Sequence, residues 1–386
     1  MITKLIKEES ARQKATINLI ASENYPSEAV KAALASDLTS KYAEGYPGAR
    51  YYAGNAVVDK IESAVQDLAR KVFRTDYHVN VQPYSGSIAN LAVYAAFLQP
   101  GEVFMGLELS HGGHLTHGHP VTLTGKLYRR ITYHLDQKTE RLDYDELERL
   151  AKEHQPKLII SGASSYPRII DFNRISQIAR SVGAKHLADI SHISGLVATG
   201  LHPSPFGGAD VVMTTTHKIL RGPRAALLFC RPELGNSIDR AVFPGLQGGP
   251  HLNNIAAVGV CLEEAMLPGY SQYCHQVLKN TAVLAKELTA AGLKLVSGGT
   301  DNHLMLVDLR PLKLTGQEAQ DRLEDVGIIV NKNAIPFDLA PPNNPSGIRL
   351  GTPAVTTAGF REENMKKLAR KIVLILRKRP TLRALA

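Results

Sequence analysis

Lys218 follows the apolar, β-branched run Val211-Val-Met-Thr-Thr-Thr216, with His217 before it and Gly222-Pro223-Arg224 shortly after. A lysine is ordinarily a solvated surface charge. Directly after a buried strand, however, its amine is partly desolvated, its pKa falls, and it can attack a carbonyl to form a Schiff base. Asp189 stands roughly 30 residues earlier, about one β-α-β unit, at the end of a second strand-like run, His186 to Ile190, and His192 follows it. Carboxylates at strand ends often only cap helices or form turns. A Schiff-base pyridoxal site, though, needs an acid beside the pyridine nitrogen, because the protonated ring is the electron sink that stabilises a carbanion. The spacing puts both residues on one sheet edge.

Two further clusters fit such a cofactor. Ser85-Gly86-Ser87 precedes a helical segment. It could be a simple N-cap, or its amides and hydroxyls could hold a phosphate at the positive end of the helix. His111-Gly-Gly-His114-Leu-Thr-His117-Gly-His119 has enough imidazoles to suggest zinc. Its glycines after a strand suit better a loop lying over a flat aromatic ring with one imidazole stacked on it, and no metal is expected.

The elements that must position these residues alternate between short apolar runs and helix-period segments from about Tyr77 to Cys230. That is the pattern of an α/β fold with a mostly parallel sheet, whose ligands collect at the carboxyl ends of the strands. Strands are predicted at Val79 to Gln82, Val103 to Leu107, Leu158 to Ser161, His186 to Ile190, Val211 to Thr214 and Ala226 to Cys230. Helices are predicted at Ile88 to Leu98, Tyr144 to His154 and Arg174 to Val182. After Pro268 and Gly269 comes a long helical stretch. Strands near Lys294 to Val296 and Leu304 to Leu309, a helix from Gln317 to Asp325 and a strand at Ile328 to Val330 follow, as in a smaller α+β domain. The expected organisation is an N-terminal arm (1–40), a large cofactor-binding domain (41–268) and a small C-terminal domain (269–386).

Composition is that of a globular enzyme: 386 residues, 44% hydrophobic and 21% charged. There is no long apolar run or signal-like leader, so a soluble, cytoplasmic protein with no membrane partner is expected. Cys230, Cys261 and Cys274 are scattered and read as small buried hydrophobes. The net charge of +9 is spread along the chain without a nucleic-acid recognition motif, and an anionic cofactor or substrate accounts for part of it. Lys366, Lys367, Arg370, Lys371, Arg377, Lys378 and Arg379 surround the apolar Ile372 to Leu376, the pattern of a final amphipathic helix with a solvated basic face.

Asn18-Leu-Ile-Ala-Ser-Glu-Asn24, Lys41-Tyr-Ala-Glu-Gly-Tyr-Pro-Gly48, Arg50-Tyr-Tyr52, Ser110-His-Gly-Gly-His-Leu-Thr-His117, Thr214 to Lys218, Phe243-Pro-Gly-Leu-Gln-Gly-Gly-Pro250, Ser297-Gly-Gly-Thr-Asp-Asn-His303 and Ser346-Gly-Ile-Arg-Leu-Gly-Thr-Pro353 closely resemble the serine hydroxymethyltransferase family. The resemblance is collinear along nearly the whole chain. It implies a fold-type I enzyme with pyridoxal 5'-phosphate as cofactor and tetrahydrofolate as co-substrate. It also implies a homodimer or tetramer with shared active sites, acting on serine and glycine.

The resemblance assigns roles as well. Lys218 would hold the cofactor as a Schiff base with Thr215 beside it, Asp189 would pair with the pyridinium, and His114 would stack on the ring. Ser164 and His192 would lie near the ring hydroxyl. Gly86, Ser87 and His217, with Tyr42 and Gly249 of a second subunit, would surround the phosphate. Arg349, with Ser22, would take the amino-acid carboxylate, and Glu44 of the second subunit, near Tyr52, would be the acid/base group. Tyr51, Tyr52, Leu109, Leu115 and Asn333, with Glu44, would form the folate pocket.

Departures from the family pattern are Ile219 after the lysine motif, Ser191 and Ser194 beside Asp189, and termini that read as short. Two alternatives stand beside this reading. One is a folate-independent, threonine-type aldolase with the same cofactor; the other is a catalytically silent homologue that binds RNA.

Overall fold

The computed structural model describes residues 1–377. The chain divides into two compact units: Asn24–Ser164 with Ile169–Cys274, and Met1–Glu23 with Ser165–Arg168 and the chain from His275 onward.

The larger unit is built on a seven-stranded sheet: β1 (His78–Asn80), β2 (Val103–Leu107), β3 (Arg129–Tyr133), β4 (Leu158–Ser161), β5 (Lys185–Asp189), β6 (Val211–Thr215) and β7 (Ala226–Cys230). Their order across the sheet is β1-β7-β6-β5-β4-β2-β3. The pairs from β3 to β6 are parallel, and β7 runs against both β6 and β1. Every residue of β4, β6 and β7 is buried. This is why these strands read as unbroken apolar runs: helices cover both sheet faces, and no solvent face imposes alternation.

The predicted strands are present, with ends shifted by at most two residues. Edge strand β3 was not predicted. Its first residue, Arg129, is exposed, the next three are half-buried and only Tyr133 is fully buried, so it lacks the apolar run that marks the interior strands. The helix Gly86–Phe97 begins two residues earlier than predicted because Ser85 caps it, its Oγ accepting the Ile88 N–H at 3.4 Å. Asp171 likewise starts the helix Phe172–Ser181 by accepting from Arg174 N at 3.0 Å. Ala89, Ala92, Val93 and Tyr94 of the first helix pack on Leu158, Leu187, Val211 and Met213 of the sheet, which fixes the helix start against the strand ends.

The smaller unit holds a four-stranded antiparallel sheet of β8 (Lys294–Leu295), β9 (Leu304–Asp308), β10 (Asn331–Asn333) and β11 (Gly347–Gly351), in the order β8-β9-β11-β10. Met305, Val307, Ile348 and Leu350 form its core with Leu323 of the helix Gly316–Glu324 and with Met365, Leu368 and Ile372 of the helix Glu362–Arg377. Ile17–Asn18 pairs in parallel with Ile328–Ile329, which ties the first residues of the chain into this unit. Strand β11 was not predicted either, because glycines bound it and a proline- and asparagine-rich stretch precedes it. A Cβ on Gly351 would lie 2.4 Å from the Ala21 Cα, so the close approach of two backbones requires that glycine. The last helix is amphipathic as expected: its apolar side is buried, while Lys367, Arg370, Lys371 and Arg377 are exposed. Lys378 and Arg379 lie outside the described residues. Among the described residues no helix is long and apolar enough to cross a membrane.

Gly162 leaves β4 with φ +107°, and a Cβ there would lie 2.0 Å from the carbonyl oxygen of Asp189 at the end of β5. Gly162→Ala is therefore expected to cost more than about 2 kcal/mol, combining left-handed strain with overpacking. Gly183→Ala, at φ +69° in open space, should show only the conformational term of about 1 kcal/mol. Urea unfolding of the two variants measures the difference.

Candidate active site

Asp189 and Lys218 are carried by neighbouring parallel strands, with Asp189 aligned to Met213 across the β5–β6 pair. The Asp189 carboxylate is buried and takes three hydrogen bonds. Oδ2 accepts from His117 Nε2 and from Asn90 Nδ2, both at 3.1 Å, and Oδ1 accepts from the Ser191 amide at 3.1 Å. Burial alone would raise its pKa. The bond from His117, the nearby imidazoles and the Ser191 amide outweigh that and hold the carboxyl well below the usual range. The side chain is thus kept as an anion, the form that would retain a proton on a pyridine nitrogen.

In the sequence His117 stands out only as one of the four histidines of its loop, with no role of its own, and Asn90 does not stand out at all. Asn90 sits one turn into the helix that Ser85 caps, and only the folded chain brings that turn to β5.

His114 works differently. Its Nδ1 accepts the Thr116 N–H at 3.2 Å and lies 2.7 Å from Thr116 Oγ1, which itself accepts from Asn90 Nδ2 at 2.9 Å. With Nδ1 an acceptor, the ring proton belongs on Nε2. Burial, then the charges of His117 and Lys218, lower its pKa to about 4, so the imidazole is neutral near pH 7. The other histidines of the loop turn to separate partners. His111 Nδ1 accepts from the Leu135 amide at 3.0 Å, and His119 Nδ1 from that of Val121 at 3.5 Å. No metal-binding group of three His, Cys, Asp or Glu side chains occurs among the described residues.

Lys218 Nζ donates to Thr215 Oγ1 at 2.8 Å, and the Thr215 amide donates to Ser191 Oγ at 3.1 Å. The Lys218 carbonyl accepts from Asn24 Nδ2 at 3.0 Å and from the Arg221 amide at 3.1 Å. Arg221 adopts a left-handed φ of +63°, and its guanidinium lies 4.3 Å from the centre of the Tyr273 ring. Tyr273 in turn accepts from Asn24 at 2.8 Å. Both sides of the lysine are thereby fixed; Asn24 has no role in the sequence reading beyond closing a family motif, and Tyr273 and Arg221 are further residues that the sequence did not mark.

Gly86, Ser87, His114, Ser164, Asp189, His192, Thr215, His217 and Lys218 line one pocket, together with Asn90, His117 and Arg224. Its residues suit pyridoxal phosphate. Amides in the first turn of the helix Gly86–Phe97 have no helical acceptor, and a Cβ on Gly86 would come within 2.6 Å of Thr215 Cγ2, so the helix start can approach β6 only with glycine there. The buried Nδ1 of His217 has no hydrogen-bond partner in the protein. Burial, then Lys218 and Arg224, push that imidazole down to about 3. An anionic group would satisfy these donors, and the Asp189 carboxylate would satisfy a ring N–H.

The remaining predicted residues form other groups. Tyr42, Glu44, Tyr51, Tyr52 and Gly249 do not line the Lys218 pocket. They make an exposed aromatic surface of their own. Tyr42 and Tyr52 rings are 5.2 Å apart, Tyr51 and Phe243 rings 5.8 Å apart, and a Cβ on Gly249 would sit 3.1 Å from Tyr42. Glu44 and Tyr51 border a shallow cleft with Phe243 and Gln247. Leu109 lies in the turn after β2, and Leu115 is exposed.

In the smaller unit, Arg349 on β11 is buried. Its Nε donates to Asn331 Oδ1 at 3.1 Å, and an Nη2 reaches Ser22 Oγ at 3.4 Å. Burial lowers its pKa to about 10, which leaves it cationic at neutral pH. Asn333 donates to Ser165 Oγ at 3.4 Å.

The sheet order, with a lysine and a buried aspartate delivered from adjacent strand ends to one pocket, defines the class of the protein as a pyridoxal-phosphate-dependent enzyme of fold type I. Its sequence matches the model of the family described as serine hydroxymethyltransferase over residues 1–372, and the chain belongs to that family.

His111 and His114 are held neutral by burial, each with a pKa lowered to about 4, whereas in the unfolded chain they titrate near 6.5. Between those values the unfolded state binds more protons than the folded one, so stability falls as the pH drops from about 6.5 towards 4. Asp189, with its depressed pKa, adds a loss only below about pH 4, its unfolded range. Urea unfolding of cofactor-free protein across this window should show the decline, with a shallower slope in His114→Asn.

Proposed function

We propose that this enzyme reversibly transfers the hydroxymethyl group of serine to tetrahydrofolate, giving glycine and 5,10-methylenetetrahydrofolate. The observation that carries the reading is the division of its polar residues. One pocket holds Lys218 and Asp189, while a separate exposed surface presents Glu44 among Tyr42, Tyr51 and Tyr52. Glu44 and the tyrosines have no place in the Lys218 pocket of their own chain. A cytoplasmic homodimer in which each copy lends that surface to the other's pocket gives them one.

Bound pyridoxal phosphate would supply the electron sink that accepts the electrons of the serine Cα–Cβ bond as it breaks. The chain's own residues do the rest. Thr215 orients the Lys218 amine through the bond at 2.8 Å. Asp189, kept ionised by His117, Asn90 and the Ser191 amide, holds the ring proton. Neutral His114 offers a flat face without repelling a cationic ring.

The amides of Gly86 and Ser87, with His217 and the partner's Tyr42 and Gly249, bind the phosphate, and Ser164 and His192 border the ring. Arg349 grips the amino-acid carboxylate in a bidentate fork, with Ser22 beside it. Glu44, with Tyr52, takes and returns the proton of the serine hydroxyl. Tyr51, Tyr52, Leu109 and Leu115 wall the folate rings while Asn333 reads their polar edge.

The purified protein with pyridoxal phosphate should show a Schiff-base absorption band that Lys218→Ala lacks, and should form glycine from serine only with tetrahydrofolate present. In Glu44→Gln, kcat should fall by about 10²–10⁴ with serine KM little changed. Cleavage indifferent to folate would replace this reading with the threonine-type aldolase. Absence of the band in the unaltered protein would remove Lys218 from its role.

A further inference from the structure

We propose that Arg50 and Glu62 form a buried ionic clamp whose task is to position Glu44. The proposal rests on the reading of Glu44 as the acid/base group, and it concerns residues to which nothing above gives a role. Arg50 closes the hairpin in which Gly45–Tyr46 pairs with Ala49–Arg50. Its Nη1 donates to the carbonyls of Ala43 at 2.8 Å and Gly45 at 2.7 Å, the two residues that flank Glu44 in the chain. The other nitrogens of the same guanidinium are held by the helix Ala56–Phe73. Nε donates to Asp59 Oδ1 at 2.8 Å and Nη2 to Glu62 Oε2 at 2.5 Å.

A second bridge runs alongside. Gln82 Nε2 donates both to the Gly45 carbonyl at 3.0 Å and to Glu62 Oε1 at 2.8 Å. Asp59 also accepts from the Gly48 amide at 3.0 Å, and the Glu44 carbonyl from the Tyr51 amide at 3.0 Å.

The side chains of Arg50 and Glu62 are only 4% and 1% exposed. Taking such a pair out of water largely cancels its attraction, so stability alone is a weak reason to build one. Direction is a better reason. A planar guanidinium fixes four acceptors at once, which neither lysine nor a neutral amide can do. Gly45, at φ +92° with a Cβ position 2.2 Å from the Ala49 carbonyl oxygen, lets the chain turn tightly enough for both flanking carbonyls to reach one nitrogen. Ala43 and Gly45 are buried and Glu44 is not. The backbone on either side of Glu44 is therefore anchored while its carboxyl projects.

Glu62→Gln keeps the shape of the side chain and leaves Asp59 to balance Arg50, and Arg50→Lys keeps the charge but loses the fork. In the holoenzyme with serine and tetrahydrofolate, each should lower kcat by about 10²-fold, the effect of a misplacement of about 1 Å. Serine KM and cofactor content should change little at temperatures where the protein stays folded, although the thermal midpoint should fall, because losing one partner leaves the rest of a buried pair uncompensated. In a Glu44→Gln background Glu62→Gln should add almost nothing, because both changes disable the same group. A full additional loss in that background, or an unchanged kcat in the single variants, overturns the proposal.

Amide hydrogen exchange in the peptide spanning residues 41–52 tests the clamp apart from activity. It should speed up about tenfold or more in Glu62→Gln, as expected for loss of a charged hydrogen bond. Unaltered exchange there overturns the clamp. Absence of folate-dependent turnover in the unaltered protein instead overturns the proposed function.

Discussion

An ionised carboxylate buried at the end of β5 is costly, because the chain must replace the water it removes. Asp189 is tolerated because three donors from three different segments converge on it: His117 from the loop after β2, Asn90 from the first turns of the helix Gly86–Phe97, and the Ser191 amide from its own turn. Each donor then constrains something else. His117 fixes the loop in which His114 lies. Asn90 also bonds Thr116, whose Oγ1 meets the His114 ring. Ser191 reaches across to the Thr215 amide, and Thr215 holds the lysine amine. One electrostatic requirement thus propagates to His114, the helix start and Lys218.

The protonation pattern follows from the same burial. Around Lys218 the acid is charged, while His114 and His217 are neutral at physiological pH. The difference is in the partners. Asp189 faces donors whose hydrogen bonds favour its anion, whereas each imidazole is desolvated beside cations that disfavour a further positive charge. A pocket so arranged favours a ligand with an anionic group and a protonated ring, which is the charge distribution of pyridoxal phosphate.

How much of this could be read in advance differs from element to element. The bounds of strands β2, β4 and β7 are legible in the sequence because both of their faces are covered, so their apolar runs are unbroken. Strand β3 was missed because solvent takes one of its sides, and β11, which carries Arg349, because glycines and a turn-rich approach disguise it. The placement of Lys218 and Asp189 at or just after the ends of neighbouring strands was legible because a strand-like run leads into each of them. His117, Asn90 and Asn24 were not, since a histidine in a polyhistidine loop or an asparagine near a helix start has many ordinary uses until its partner is known.

By itself the sequence determined the class of fold, the cofactor chemistry and the family, since these depend on local patterns: apolar periodicity, a lysine after a buried strand, and collinear motifs over nearly the whole chain. Only the tertiary structure decided which histidine bonds Asp189, which donors hold the Lys218 backbone, and that Glu44 belongs to a surface apart from its own chain's pocket. Hydrogen bonds between residues distant in sequence leave no periodic trace, and their geometry exists only once the strands and helices have packed.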